Sequence, residues 1–210
     1  MQLTKEEWVN ALKKRCGDTL YRKLSSSHVA ICGLGGLGSN IAFALARSGI
    51  GELTLIDYDV VDITNIHRQQ YKLNQIRKAK AYALKENILE FAPFTKINAV
   101  NEKITEQNYI SLLQNADIIC EAFDDAGEKA KLVNLILQTL PQKYIVAASG
   151  MAGLDSPNLI HTKQITPFFY LCGDEKTDVA NGIGLVAPRV MLCAAHQALT
   201  VLRIIENLNI

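Results

Sequence analysis

The sequence predicts an α/β fold built on a parallel sheet of the nucleotide-binding type, and three observations carry that expectation. Short apolar runs of strand length alternate with longer segments of helical period; the first run ends in a glycine-rich turn; and acidic residues close the second and fourth runs. Together they describe a Rossmann-like sheet, mainly parallel in its first half, with helices on both faces and a short C-terminal extension. The length of 210 residues suits one domain of ordinary size with an appendage and is short for two.

The elements follow in order. Lys5 to about Leu24 reads as one or two short helices, an arm over residues 1–24 in which Trp8, Val9, Ala11 and Leu12 form a modest apolar face ahead of the basic Lys13-Lys14-Arg15. A core over residues 25–153 begins with the strand His28 to Cys32. That strand runs into Gly33-Leu34-Gly35-Gly36-Leu37-Gly38, and Ser39-Asn40 opens a helix through Arg47 that Gly49 closes. Glu52 to Ile56 is a second strand ending in Asp57-Tyr58-Asp59, which completes a βαβ unit. After a polar loop, Arg77 to Phe91 is a helix stopped by Pro93, Thr95 to Val100 a strand, Glu106 to Asn115 a short helix, and Asp117 to Phe123 a strand ending at Asp124-Asp125. Glu128 to Leu140 is helical and Tyr144 to Ala148 is a fifth strand. Residues 154–210 differ in kind: Leu159 to Ile165 and Phe168 to Leu171 read as less regular paired strands, Gly173 to Gly184 as a polar loop, and Ala187 to Asn207 as a long amphipathic helix.

Composition narrows the function classes. With 49% hydrophobic and 20% charged residues the chain can bury a core, and Lys+Arg 22 against Asp+Glu 21 leaves a net charge of +1, so bulk attraction to nucleic acid or to an anionic membrane is not expected. No apolar run approaches the ~20 residues that span a bilayer, and Met1 to Trp8 carries acids where a leader would be basic and then apolar. A cytoplasmic location is the expectation. The five cysteines, Cys16, Cys32, Cys120, Cys172 and Cys193, form no Cys-x-x-Cys pair, which suits reduced and mostly buried thiols.

The glycine turn satisfies G-x-G-x-x-G, where bare backbone N–H groups and a helix N-terminus approach a phosphate without an intervening Cβ. No P-loop pattern occurs. Asp57 stands at the end of the second strand, where a carboxylate accepts hydrogen bonds from ribose hydroxyls. To this point a dinucleotide dehydrogenase fits equally well, as does a tight turn that binds nothing. Asn65-Ile66-His67-Arg68-Gln69-Gln70, followed by Lys80, separates the readings, because hydride transfer has no use for these cations and a triphosphate does. Arg68 grips phosphate oxygens in a planar fork, and Lys80 offers a compact charge to a leaving pyrophosphate. Alternatively Lys80 shares a solvated helix face with Arg77 and Lys78. Of Asp124-Asp125, one carboxylate can hold Mg²⁺ against phosphates, one can cap the following helix, and both roles can coexist.

The ordered set Gly33-Leu-Gly-Gly-Leu-Gly38-Ser39, Asp57-x-Asp59-x-Val61, Asn65-x-x-Arg68-Gln69, Lys80 and Asp124-Asp125 resembles the ThiF/MoeB/HesA enzymes and the related adenylation domains of ubiquitin-activating enzymes. The resemblance covers about Lys23 to Gln138. Further on, Gly184-Leu-Val-Ala-Pro188-Arg189-Val190, leading into Gln197-Ala198-Leu199, looks like the compact ThiF branch of thiamine synthesis. It implies ATP-dependent adenylation of the C-terminal Gly-Gly carboxylate of a ubiquitin-like, ThiS-like sulfur carrier, with pyrophosphate released. By position, Gly33, Gly35, Gly36, Gly38 and Ser39 belong to the nucleotide site with Asp57, Asp59 and Gln69; Asn65, Arg68 and Lys80 hold the triphosphate; and Asp124 takes Mg²⁺. Such chemistry needs charge placement and no general base, since the nucleophile is already anionic.

The chain departs from the family in two respects. Longer members carry paired Cys-x-x-Cys zinc ligands and some a sulfur-transfer cysteine; here ATP and Mg²⁺ are expected and zinc is not, and Cys172, in Tyr170-Leu-Cys-Gly-Asp174, comes nearest to a reactive thiol. The family also supplies an arginine across a subunit boundary. Its usual Arg-Tyr-x-Arg-Gln signature is missing, leaving Arg15, with Arg22 second, to act in a homodimer that the long apolar C-terminal helix also suggests. His67 reads as a loop filler and His196 as packed on its helix. The alternatives kept are the same chemistry on a molybdopterin-type carrier or a modified tRNA base, a dinucleotide-dependent oxidoreductase, and a scaffold without turnover.

Overall fold

The computed structural model describes residues 3–208; residues 1–2 of the arm and 209–210 of the C-terminal segment lie outside the described residues. Seven strands, β1 (His28–Cys32), β2 (Glu52–Ile56), β3 (Lys96–Val100), β4 (Ile118–Glu121), β5 (Tyr144–Ala148), β6 (His161–Thr166) and β7 (Phe169–Gly173), lie in one sheet in the order 3-2-1-4-5-7-6. Strands β1 to β5 run parallel, as does β7 beside β5, and only β6 is antiparallel to its neighbour. The two less regular strands therefore extend the main sheet instead of standing apart from it.

The central strands are buried along almost their whole length, which is why they read as apolar runs without alternation. Val29 and Ile31 of β1 and Leu53 and Leu55 of β2 face one core, shared with α3 (Gly36–Ser48), α4 (Lys80–Leu89) and α7 (Ala187–Glu206). Ala30, Cys32 and Ile56 face the other, shared with α5 (Tyr109–Leu113) and α6 (Ala126–Thr139). Helices thus cover both faces, as a parallel sheet requires.

The arm consists of α1 (Lys5–Cys16), opened by a Thr4–Glu7 capping box, and α2 (Asp18–Ser26). It is less detached than its sequence suggests: Leu24 is fully buried, Trp8 and Leu20 pack on the core, and Leu12 and Tyr21 lie over Gly49. Helix α3 begins at Gly36, three residues before the expected Ser39, because the glycine turn itself already has helical backbone. Helix α4 begins at Lys80, three residues after the expected Arg77, because Arg77 adopts a left-handed φ of 71°.

The apolar face of helix α7, which suggests a homodimer by sequence, packs within the chain on α3, α2 and strands β5 to β7, with Val190, Cys193, Ala194, Ala198 and Val201 buried. Met191 and Leu199 remain exposed. Cys172, the cysteine nearest to a reactive thiol by sequence, lies on β7 with its thiol buried, and burial pushes that thiol above its ordinary range. Among the described residues no helix is long and apolar enough to cross a membrane.

Candidate active site

Strand order reverses between β1 and β4, and a cavity of about 500 Å³ opens there, at the carboxyl ends of the strands. The β1 side of the switch is made by Gly33, with φ of 89°; a Cβ there would stand 2.9 Å from the carbonyl oxygen of Ala122, just past β4. Only glycine permits that approach.

Gly33, Gly35 and Gly36 line the cavity. Gly38 does not: a Cβ on it would lie 1.8 Å from the Gly33 carbonyl oxygen, so this glycine lets helix α3 close on its own turn. Ser39 also faces away. Its hydroxyl donates to Gly35 O at 2.6 Å and accepts from Gln70 N at 3.1 Å, which ties the following loop to the helix. Neither Gly38 nor Ser39, both expected in the nucleotide site, lines the cavity; both hold the turn and loop that do. Helix α3 has no side-chain N-cap, so its first amides stay available to an anion; α4 also lacks a side-chain cap, but its first amide, Lys80 N, donates to Asp59 O at 2.9 Å.

Residues 65–70 form the wall beside these helix ends. Asn40 donates to the Arg68 carbonyl at 3.2 Å and accepts from Gln70 Nε2 at 2.7 Å, while Asn87 donates to Gln70 O at 2.9 Å. The segment so held presents Asn65, Arg68 and Gln69 to the cavity, with Arg68 Nη2 donating to Asn65 Oδ1 at 3.0 Å. Arg68 Nε and Gln69 Oε1 are buried without any partner. Buried polar atoms left open in a cavity mark a hydrogen-bonding set that a ligand completes. His67 is exposed beside Arg68.

Lys80 decides between its two sequence readings. It is only 5% exposed, with Nζ 2.9 Å from Asp59 Oδ2 and 4.0 Å from Asp57 Oδ2, whereas Lys78 is exposed and pairs with Glu86. A cation at the first residue of a helix opposes the helix dipole, a cost that the neighbouring Asp59 and Asp57 carboxylates offset. Asp57 accepts from Leu34 N at 2.7 Å and from Asp59 N at 2.8 Å. Burial pushes its carboxyl up, opposed by Lys80 and those two amides.

The acidic pair at the end of β4 divides its work. Asp125 caps α6, accepting from Glu128 N at 2.8 Å, while Asp124 is exposed and lines the cavity. Behind them Glu121 is fully buried, accepts from Phe123 N at 2.7 Å and pairs with Lys129, which reaches the cavity. Burial pushes Glu121 up and Lys129 pulls it back.

The far wall was missed by sequence reasoning. Ser149 to Ala152, Thr177 to Val179, Leu185 and Val190 line it, with Tyr58, Glu102 and Ile104 on the β2–β3 side. The loops of that wall also carry the exposed Leu154 and Ile183, joined through Gly153 N donating to Gly184 O at 3.0 Å. No periodicity announces such loops. Arg15 and Arg22 lie on the exposed surfaces of α1 and α2, and no described residue ahead of Gly33 lines the cavity. His196 packs against β6, with Nδ1 3.1 Å from Thr162 Oγ1, and burial lowers its pKa.

Comparison with known proteins bears on this geometry. The ThiF family profile matches residues 9–209. The tRNA threonylcarbamoyladenosine dehydratase of Haemophilus influenzae is 32% identical over 151 residues, 71% of this chain and 57% of that protein. The adenylyltransferase and sulfurtransferase UBA4 of Lodderomyces elongisporus is 27% identical over 192 residues, 89% of this chain and 42% of that protein. The chain thus spans about half the length of these curated relatives. Among solved structures, the E. coli tRNA threonylcarbamoyladenosine dehydratase TcdA in complex with ATP superposes with a TM-score of 0.86 at 21% identity, over 99% of this chain and 98% of that one; this likeness is one of fold.

Proposed function

The chain belongs to the ThiF family, and on that premise we propose that it is an ATP-dependent adenylyltransferase that converts an acceptor carboxylate into an acyl adenylate. One observation carries the reading: a buried Lys80 at the start of α4, 4.0 Å from Asp57, lines the same cavity as an Arg68 whose buried Nε has no partner. The glycine turn and the first amides of α3 cradle the phosphates, and Asp57 orients the ribose. An acceptor carboxylate oxygen bonds to the α-phosphorus while the bond to the β-phosphate oxygen breaks, its electron pair leaving with pyrophosphate. Arg68 and Lys80 stabilise the charge that develops. Asp124, a carboxylate facing the cavity and free of the capping work that Asp125 does, has the hard oxygen donors that suit Mg²⁺. When bound there, Mg²⁺ screens the phosphate charge.

For the acceptor we favour the narrow C-terminal tail of a carrier protein. Five carboxylates and three cations line the cavity, and exposed Leu154, Val179 and Ile183 flank it, a mouth better matched to a polypeptide than to polyanionic RNA. The second reading is a carboxylate borne on a modified tRNA base, favoured by the similarity to the H. influenzae dehydratase. The names of the H. influenzae and L. elongisporus relatives speak of tRNA modification and sulfur transfer, so they support these two acceptors more than a role in thiamine synthesis in particular. The proposal takes residues 1–24, 25–153 and 154–210 as arm, core and C-terminal segment of one functional unit, and keeps a homodimer in which the partner copy brings Arg15. Exchange of labelled pyrophosphate into ATP tests it. Exchange that needs a Gly-Gly-ended carrier supports the first reading; exchange that needs tRNA carrying threonylcarbamoyladenosine supports the second; a complete system with neither would overturn both.

A further inference from the structure

The segment Gly184 to Val190 and the acid of Cys172-Gly173-Asp174 have no part in the chemistry above, yet Asp174 and Arg189 are 6% and 5% exposed and form a buried ion pair. Arg189 Nη1 donates to Ser156 O at 3.2 Å and also to Asp155 O, while Nη2 donates to the Asp174 carboxylate. That carboxylate accepts from Lys176 N and Thr177 N, both at 2.9 Å, and from Thr177 Oγ1 at 2.8 Å. Thr177 Oγ1 in turn accepts from Ala152 N at 3.0 Å, and Asp174 N donates to Gly150 O at 3.0 Å. One ion pair therefore fixes both loops of the far wall, 150–156 and 174–178.

The fit leaves no slack. Gly150 has φ of 78°, and a Cβ there would stand 2.1 Å from Asp174 Oδ1. The neighbour of Arg189 faces the opposite wall: a Cβ on Gly36 would come within 2.9 Å of Val190 Cγ1. The first turn of α7 thus touches the glycine turn with one residue and holds the acceptor wall with the preceding one. A buried pair is weak evidence for stability; what this one does is tie two loops together, with Arg189 Nε left buried without a partner.

We propose that Asp174 and Arg189 are positioning residues of the acceptor subsite, setting the wall that aims the acceptor carboxylate and leaving nucleotide binding to the glycine turn, Asp57, Arg68 and Lys80. The inference rests on the adenylation reading and deepens it. A disordered wall loses contacts that hold the acceptor in ground and transition state alike, so loss of the pair should raise the acceptor KM by roughly ten- to a hundredfold with the ATP KM nearly constant.

The test uses the full chain with Asp174→Asn, Arg189→Lys and the milder Thr177→Val, which leaves the ion pair in place. Acceptor and ATP KM are read by pyrophosphate exchange, and amide hydrogen exchange is followed at Ala152, Lys176 and Thr177, with Leu34 as control. The expected result is a raised acceptor KM in all three variants, smallest in Thr177→Val, partial retention in Arg189→Lys, and faster amide exchange confined to the far wall. An unchanged acceptor KM, or an ATP KM that rises in step, would overturn it. If no acceptor supports exchange with the native chain, the adenylation reading fails and the positioning role falls with it; weakened direct ATP binding or lost Leu34 protection in Asp174→Asn would overturn the positioning role alone.

Discussion

The two walls of the cavity are built on different principles. The wall proposed for the nucleotide is local: Gly33 to Gly36, Asp57 and Asp59, Asn65 to Gln69 and Lys80 arrive within about two βαβ steps, at strand ends, at helix starts and in the one loop between β2 and α4. The wall proposed for the acceptor gathers 150–156, 174–178 and the start of α7 around one buried ion pair, through the long-range bonds of Arg189 to residues 155, 156 and 174 and of Ala152 to Thr177. Phosphate binding needs backbone amides and fixed cations, which short motifs supply. Aiming one particular carboxylate needs a shaped surface, which distant segments must assemble.

That contrast can be broken by substitution on the nucleotide side. Lys80→Ala should show the largest effect, a drop in exchange rate of about 10²–10³, as typical for a lost transition-state charge contact. A rate near that of the native chain would make Lys80 only a counter-ion of Asp59. Asp57→Ala should be next, raising the ATP KM by roughly ten- to a hundredfold with a smaller change in kcat, because the ribose contact is remote from the reacting phosphorus. Loss of kcat alone would contradict the ribose role.

On the acceptor side the contrast sharpens through pH. Burial works against the Asp174 carboxylate, but hydrogen bonds from Thr177, Lys176 and Arg189 prevail and hold its pKa down from 3.8 to about 2. Its contribution to stability is therefore present above about pH 4 and is lost as pH falls toward about 2. Acid unfolding monitored by circular dichroism should lose this part of its slope in Asp174→Asn; identical acid profiles would count against the pair's hydrogen-bonded state. The smallest effect separates two adjacent acids. Asp125→Ala should lower stability by about 1 kcal/mol through its lost cap while nearly sparing exchange, and Asp124→Ala should do the reverse. Equal effects on activity would mean that the division seen at the end of β4 has no functional meaning.

How much of this was legible in the sequence follows the same divide. His28–Cys32, Glu52–Ile56 and Tyr144–Ala148 were read to the residue as strands, because a strand buried on both faces is an unbroken apolar run between polar turns. Helix starts were missed where the backbone departs from side-chain pattern, at Gly36 and after the left-handed Arg77. The pairing of β7 with β5 was illegible, since a local pattern does not say which strand lies alongside. Asp57, Arg68 and Lys80 line one cavity, and their motif order points there, whereas Arg189 sits in a segment whose only signal is a family resemblance. Its role depends on contacts with residues 155, 156 and 174, and nothing in the spacing encodes them.

The most direct test of the central claim follows oxygen. With ATP, Mg²⁺ and a carrier peptide ending in Gly-Gly whose terminal carboxylate is labelled with ¹⁸O, hydroxylamine is added to release the acyl group. The account predicts that the AMP recovered contains one labelled oxygen, carried from the carboxylate to the α-phosphorus. AMP formed at the same rate without label would show that the carboxylate never attacks phosphorus, and would contradict it.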